Sequence, residues 1–548
     1  MKPLSIAILL GVCSLGAGVG GFSAGCQSEA APEQTPRSEP RSGADQPAKA
    51  AGEVVASDVV IDVAMGRALP PYSFSAEDNA LLDEVQHGCF NFFWYAGDPK
   101  TGMAPDRASE PRVSSIAGVG FQLSAFPVAV ERGWVTRAEA EARTLLILKT
   151  LAGNSENRKG GLFYHFLDGA TGGQPSKAYE HVVSTIDSAL FFCGAITASS
   201  YFGGEVARIA DGLVADADWS FFVSKGDSYQ PYERNFVTLG WKPTSLVAPT
   251  GAGKLLPYVW VDAGDEHRLV TFLAVAAPTA SHAVDPSMYY RLRRGLGENV
   301  PGEPMVWFPW SGALFVQLFA HCWLDYAHLG PDNPAAFEVA QRARVNWWEN
   351  ARRTTQMHRD KAIKNPAGKP TLGEHAWGLS ASDIEGGYGV PGVFPRPLMM
   401  KGSRPEWDYP VTNTDKIVDN YGDGTIAPYA AGSAIMFEPA AAIAAMRHYR
   451  GLKKADGDAL LWSDPKMISM GWGKTQIGAG RPGFGFADAY REAEKGGTGL
   501  WVAPDYVAID QGPLILAIEN ARTGLITKLF HQHPVVKAGV KRLKLGPK

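Results

Sequence analysis

From about Asp78 to about Phe530, apolar residues recur at helical spacing in one run after another. Long Gly- and Pro-rich stretches separate the runs. The pattern predicts helices over 83–95, 115–132, 184–202, 265–275, 311–326, 334–353, 430–449 and 507–523. Shorter ones are predicted over 205–218, 285–294 and 486–493. Thr136-Arg137-Ala138-Glu139 reads as a capping box, and Leu145, Leu146, Leu148 and Leu151 give the following helix an apolar face. Gly133 and Gly203-Gly204 read as stops. Strand alternation and hairpin dipeptides are scarce. The run 184–202 is apolar nearly all round, and such a helix is surrounded by protein. Inner helices ringed by outer ones fit this mixture, with no fixed repeat that would indicate a solenoid. The expected fold is therefore all-α: one large α/α toroid, with the long loops near 220–260 and 364–425 gathered at its mouth.

The beginning of the chain departs from this pattern. Lys2 precedes an apolar run at 4–12, and small residues lead to Ser23-Ala24-Gly25-Cys26, the order of a secretory signal peptide over 1–26. Small residues before a cysteine resemble a lipobox, which makes Cys26 a lipidation site. Residues 27–70 are rich in Ala, Pro, Glu, Ser and Gly and are expected to be a disordered tether. The toroid domain is expected over 71–548. This arrangement predicts a protein of the bacterial cell envelope, lipid-anchored or secreted, touching a membrane through its lipid alone.

Composition narrows the function. Of 548 residues, 52 are Lys or Arg and 56 are Asp or Glu, so no basic excess exists to neutralise phosphates, and nucleic acid is not an expected partner. Five cysteines show neither a CxxC pair nor metal-ligand spacing; no metal and no cofactor are expected. Gly478 to Gly483 satisfies GxGxxG literally, but no strand precedes it and Pro482 stands where a helix would open, so it reads as a loop.

Aromatic residues are abundant, with 15 Trp, 18 Tyr and 25 Phe, and several flank acids. Asp187 stands in Ser184-Thr185-Ile186-Asp187, and Glu266 in Asp265-Glu266-His267-Arg268, each opening an apolar helix. Asp383 follows Trp377 and precedes Tyr388 in a long loop. Asp423 precedes Gly424-Thr425, and Asp488 lies among Phe484, Phe486 and Tyr490. Aromatic faces stack on sugar rings, and carboxylates bind hydroxyls and carry acid/base chemistry. A carbohydrate cleft is the expectation.

The words also resemble those of the bacterial glucoamylase-like family, which includes endo-β-1,2-glucanases and a domain of cyclic β-1,2-glucan synthases. The similarity is carried by Thr101-Gly102-Met103-Ala104-Pro105-Asp106-Arg107, Phe163 to Asp168, Ser184 to Leu190, Trp377 to Asp383, Asp423 to Pro428 and Ile509-Asp510-Gln511-Gly512-Pro513. It implies an (α/α)6 toroid, a glycan substrate (β-1,2-glucan foremost), and hydrolysis by paired carboxylates with inversion, without a metal. Residues 390–421 look inserted.

Glu266 is the expected general acid, because apolar surroundings raise a carboxyl's pKa. Asp488 or Asp187 is the expected base, with the choice open. In an inverting enzyme the two carboxyls stand ~6.5–9.5 Å apart. Arg107, His165, Trp377, Asp383, Tyr388 and Asp423 are the expected sugar contacts. A non-catalytic glycan-binding lipoprotein, a toroid-fold polysaccharide lyase and a transglycosylase are the alternatives.

Overall fold

The computed structural model describes residues 62–66, 71–176, 179–229, 231–309, 311–339, 342–398, 418–454, 456–462, 483–492 and 500–546. The signal peptide, Cys26, most of the tether and residues 399–417 of the inserted stretch lie outside them. Among the described residues the helices of six residues or more are α1 Ala76–Tyr95, α2 Ile116–Glu131, α3 Arg137–Gly153, α4 Thr185–Phe202, α5 Gly204–Asp216 and α6 Asp265–Ala276. They continue as α7 Trp347–Lys364, α8 Pro428–Ser433, α9 Pro439–Gly451, α10 Ala508–Arg522, α11 Leu525–Gln532 and α12 Pro534–Arg542. The sheets have two or three short strands each. No described helix is long and apolar enough to cross a membrane.

Burial divides the helices into two sets. In α2, 14 of 16 residues are buried, and in α4, 16 of 18, so both are enclosed by protein on every side. α6 is buried except at Glu266, and α10 over most of its length. These interior helices pack in succession: α2 on α4, α4 on α6, α6 on the 3-10 turns Leu314–Gln317 and Ala320–Cys322, the second turn on α10, and α10 on α2. α8 also packs on α10. Outside them lie α1, α3, α5, α9, α11 and α12, which bury one face; in α5 that face is Val206, Ala210, Leu213 and Val214.

The contact between α2 and α4 depends on two glycines. A Cβ on Gly194 would stand 2.0 Å from the Gly120 carbonyl oxygen, and one on Gly120 would stand 2.3 Å from that of Leu190. Without side chains the backbones touch directly, which brings the two N-terminal ends close together. Short extended pieces lead into these ends. Strand Val113–Ser115 runs into α2 and pairs with Phe166–Asp168. Strand Val183–Ser184 runs into α4 and pairs with Gly240–Pro243. Bridges Asp262 to Arg293, Ile426 to Tyr490 and Arg107 to Val507 stand just ahead of α6, α8 and α10. The N-terminal ends of the interior helices therefore emerge among loops, and the acids sit there.

Several helix expectations hold. The Thr136–Glu139 capping box is formed, Ser184 caps α4, and Gly203 ends it at φ +69°. Others are corrected. Residues 311–326 form two 3-10 turns rather than one helix, because the Asp265 carboxylate accepts from the Ala320 N–H at 3.1 Å and the Leu314 N–H donates to the Leu379 carbonyl. Residues 334–353 divide into a 3-10 turn, a strand at Arg344–Val345 and the start of α7, which Asn346 caps. The strand pairs in parallel with Asp62–Val63, so residues 62–66, at the end of the expected tether, include a packed strand with Val63 fully buried. Residues 430–449 are divided between α8 and α9, with Pro439 opening the second helix. In 486–493 there is a strand, Tyr490–Arg491, paired with Trp501–Val502.

Candidate active site

The expected acids gather into two groups. The first is built on the opening turns of α4 and α6. Asp187, three residues into α4, donates its N–H to the Ser184 hydroxyl at 3.3 Å. Its Oδ1 stands 3.6 Å from Nε2 of His165, whose Nδ1 lies 3.4 Å from Oε2 of Glu180. Burial alone would favour the neutral imidazole, but Asp187, Glu180 and Asp106 raise the His165 pKa to about 9. His165 is thus a cation between carboxylates.

Glu266 is the partly exposed residue in the first turn of an otherwise buried helix. Burial, then the charges of Asp187 and Asp265, push its carboxyl up to about 8. The positive end of the helix dipole works the other way, but burial and like charge prevail. Glu266 is therefore protonated at neutral pH. Its neighbour Asp265 holds the fold together instead. It pairs with Arg268 and accepts the Ala320 N–H, and the Arg268 guanidinium lies 3.6 Å from the centroid of the Trp347 ring.

The second group collects residues far apart in sequence around Arg107. Its Nη1 donates to Asp383 at 3.1 and 3.3 Å and lies 3.5 Å from Asp505 Oδ2, while Nε stands 3.7 Å from Asp106. Burial opposes the guanidinium charge, but these three carboxylates hold it well above its ordinary range. The Asp383 N–H donates to Asp488 Oδ2 at 2.7 Å. Burial, then Asp488, raise the Asp383 carboxyl to about 6 against the pull of Arg107. Asp488 and Asp510 are fully enclosed and within hydrogen-bonding reach of each other. Burial raises both, and the Asp488 charge pushes Asp510 well above the carboxylate range. The phenol of Tyr388 is raised by burial and by these two acids. Asp106, near both Arg107 and His165, joins the groups.

Six expected site residues beyond the lipidation site thus come together with Glu266: Asp187 and His165 in its own group, and Arg107, Asp383, Asp488 and Tyr388 in the other. Two do not. Trp377 is fully buried and offers no face to a sugar; its carbonyl accepts from the Tyr449 hydroxyl, and the adjoining Gly378 lies against the Ala431 nitrogen. Asp423 closes a turn on Thr425 and pairs with Arg491 at 2.7 Å, which holds its carboxyl below the ordinary value despite partial burial. Sequence reading missed Glu180, Asp505, Asp106 and Asp510 as site residues. The last two stand inside words singled out above, whereas no pattern marks Asp505. Among the described residues, no cluster of His, Cys, Asp and Glu is arranged to hold a metal ion. Cys89, Cys193 and Cys322 are buried free thiols.

Comparison with known proteins agrees with this architecture. An exo β-1,2-glucooligosaccharide sophorohydrolase (non-reducing end) of Parabacteroides distasonis is 26% identical over 506 residues, covering 86% of this chain; the chain spans only 59% of that relative's length. The crystal structure of a "putative glucoamylase" from Bacteroides uniformis has a TM-score of 0.64 at 27% identity, covering 86% of this chain and 98% of that one. The endo-β-1,2-glucanase from Chitinophaga pinensis, solved with sophorotriose and glucose, shares the fold with a TM-score of 0.63 at 23% identity, covering 86% and 98%. The Glycoamylase family, described as "Putative glucoamylase", matches residues 243–459 and 478–534. Glu266, Asp383, Asp488 and Asp510 fall inside that match, which takes in half of the chain, and the protein belongs to this family.

Proposed function

We propose that this chain is an inverting glycoside hydrolase cleaving β-1,2-linked glucans or gluco-oligosaccharides. Its frame is a single (α/α)6 toroid domain over 71–548, joined by the strand at 62–63, with the interior helices closed into a ring. The observation that carries the reading is the contrast between the two acid groups. Glu266 holds a proton at neutral pH and is partly exposed, as a general acid must be to protonate a leaving oxygen. Asp488 is the base: burial raises its pKa, which strengthens it as a proton acceptor for the attacking water. Asp187 acts on the acid, its charge helping to keep Glu266 protonated. Arg107, His165, Asp383 and Tyr388 line the sugar's path. The substrate class rests on the sophorohydrolase relative. A lyase would need a free cation for a uronate carboxylate, and Arg107 is already engaged by three aspartates.

The test uses two substrates. On β-1,2-gluco-oligosaccharides, Glu266→Gln and Asp488→Asn each lower kcat by ~10²–10⁴-fold, the range of a general acid or base. On an aryl β-sophoroside, whose leaving group needs no proton, Glu266→Gln regains most of its rate and Asp488→Asn does not. Proton NMR of the first product detects the α-anomer. Activity on starch but not on β-1,2-glucans overturns the substrate, and a first-formed β-anomer overturns inversion.

A further inference from the structure

The carboxyl pair beneath the second acid group has an arrangement that two carboxylates cannot satisfy. Asp488 Oδ2 accepts the Asp383 N–H, but Asp488 Oδ1 and Asp510 Oδ2 are both buried and have no donor among the described residues. The two side chains are within hydrogen-bonding reach of each other. Two buried anions in contact repel, and each orphaned oxygen has lost its hydration with no donor in return. One proton between them removes both problems. We propose that Asp510 is a positioning residue that shares a single proton with Asp488, its carboxylic acid donating to the Asp488 carboxylate.

The surroundings favour the proton on Asp510. Asp488 receives the Asp383 N–H and faces the charge of Arg107, which stabilises an anion there. Asp510 sits on the first turn of α10 among the phenols of Tyr388 and Tyr429 and the charges of Asp488 and Asp383, with Arg107 the opposing cation. Asp505 adds negative charge on the Asp488 side. The pair therefore carries one negative charge, placed on the carboxylate proposed above as the base. An O–H donor to a carboxylate is stronger than a neutral N–H donor. Asp510 thereby keeps Asp488 ionised to lower pH than an amide in its place would.

This inference rests on the proposed role of Asp488 for its catalytic consequence, but not for the shared proton itself. Infrared difference spectroscopy in a Glu266→Gln background, at about pH 7.5, isolates the pair from the other protonated acid. The parent shows a buried carboxylic acid carbonyl band that shifts in deuterated water, and adding Asp510→Asn or Asp488→Asn removes it, with circular dichroism confirming the fold. Absence of the band in the parent, or its persistence in both double variants, overturns the proposal whatever the substrate. In the otherwise native enzyme, Asp510→Asn raises the acid limb of kcat/KM by about half a pH unit or more, because the replacement donor is weaker. An acid limb that stays in place while only the melting temperature falls shows Asp510 to be structural and overturns the positioning role.

Discussion

The raised pKa of Glu266 should be visible in stability as well as in rate. In the unfolded chain its carboxyl has an ordinary value of 4.5, and in the folded chain about 8. Between these values the folded state keeps a proton that the unfolded state has lost, so stability falls as pH rises, by up to about 1.4 kcal/mol per unit. The cost is absent below pH 4.5 and fully present above about 8. At pH 7 it reaches at most about 3.4 kcal/mol, and solvent at the partly exposed carboxyl brings it lower. Glu266→Gln cannot ionise and removes the cost. Urea unfolding of the two proteins at pH 5, 6, 7 and 8 should therefore show a gap that is smallest at pH 5 and grows in favour of the Glu266→Gln variant. Asp187→Asn, which removes a like charge, should narrow the gap and move the alkaline limb of kcat/KM to lower pH. A gap independent of pH, or a variant less stable at pH 8 than the native protein, would refute the assignment of Glu266 as a neutral acid.

Two glycine substitutions should have opposite signs. Gly194→Ala drives a Cβ against the Gly120 carbonyl between two enclosed helices and should destabilise by about 3 kcal/mol or more, whereas Gly212→Ala, exposed within α5 with nothing within 4 Å, should stabilise by ~0.5–1 kcal/mol; denaturant midpoints measure both. Asp423→Asn breaks a partly exposed ion pair with Arg491 and should cost no more than about 1 kcal/mol while leaving KM for the oligosaccharide unchanged, so a large rise in KM would restore Asp423 to the sugar-binding surface.

The sequence made α3 and α4 legible because local chemistry caps both, and α4 also because it is buried nearly all round. Ser184 bonds within its own first turn, Thr136 and Glu139 bond to each other, and Gly203 supplies a positive φ; each signal is read within a few residues. The failures have the opposite origin. Residues 311–326 have helical apolar spacing, but the Ala320 N–H is taken by a carboxylate 55 positions away in sequence. The strand at Arg344–Val345 forms because residues 62–63 arrive to pair with it. Trp377 lies near acids in sequence, yet its ring is fully buried in the core. Proximity along the chain predicted the acids better than the rings, since a charged group must reach a partner or water whereas an aromatic ring is equally at home in the core.

The same contrast explains why the two acid groups can differ in protonation. The first group receives its cation from His165, which stands beside Asp187, while Glu266 next to them has burial and like charge to hold its proton. In the second, Arg107 bonds to Asp383 and lies close to Asp505, and Asp488 accepts the backbone N–H of Asp383. In each group the cation pairs with other carboxyls, and among the described residues neither Glu266 nor Asp510 has an ion pair of its own. Those two are the acids that burial can keep neutral. Moving either cation onto the neutral acid would lower its pKa and erase the difference in protonation, so the pairing of His165 with Asp187 and of Arg107 with Asp383 is what lets carboxyls of similar intrinsic strength hold different charges.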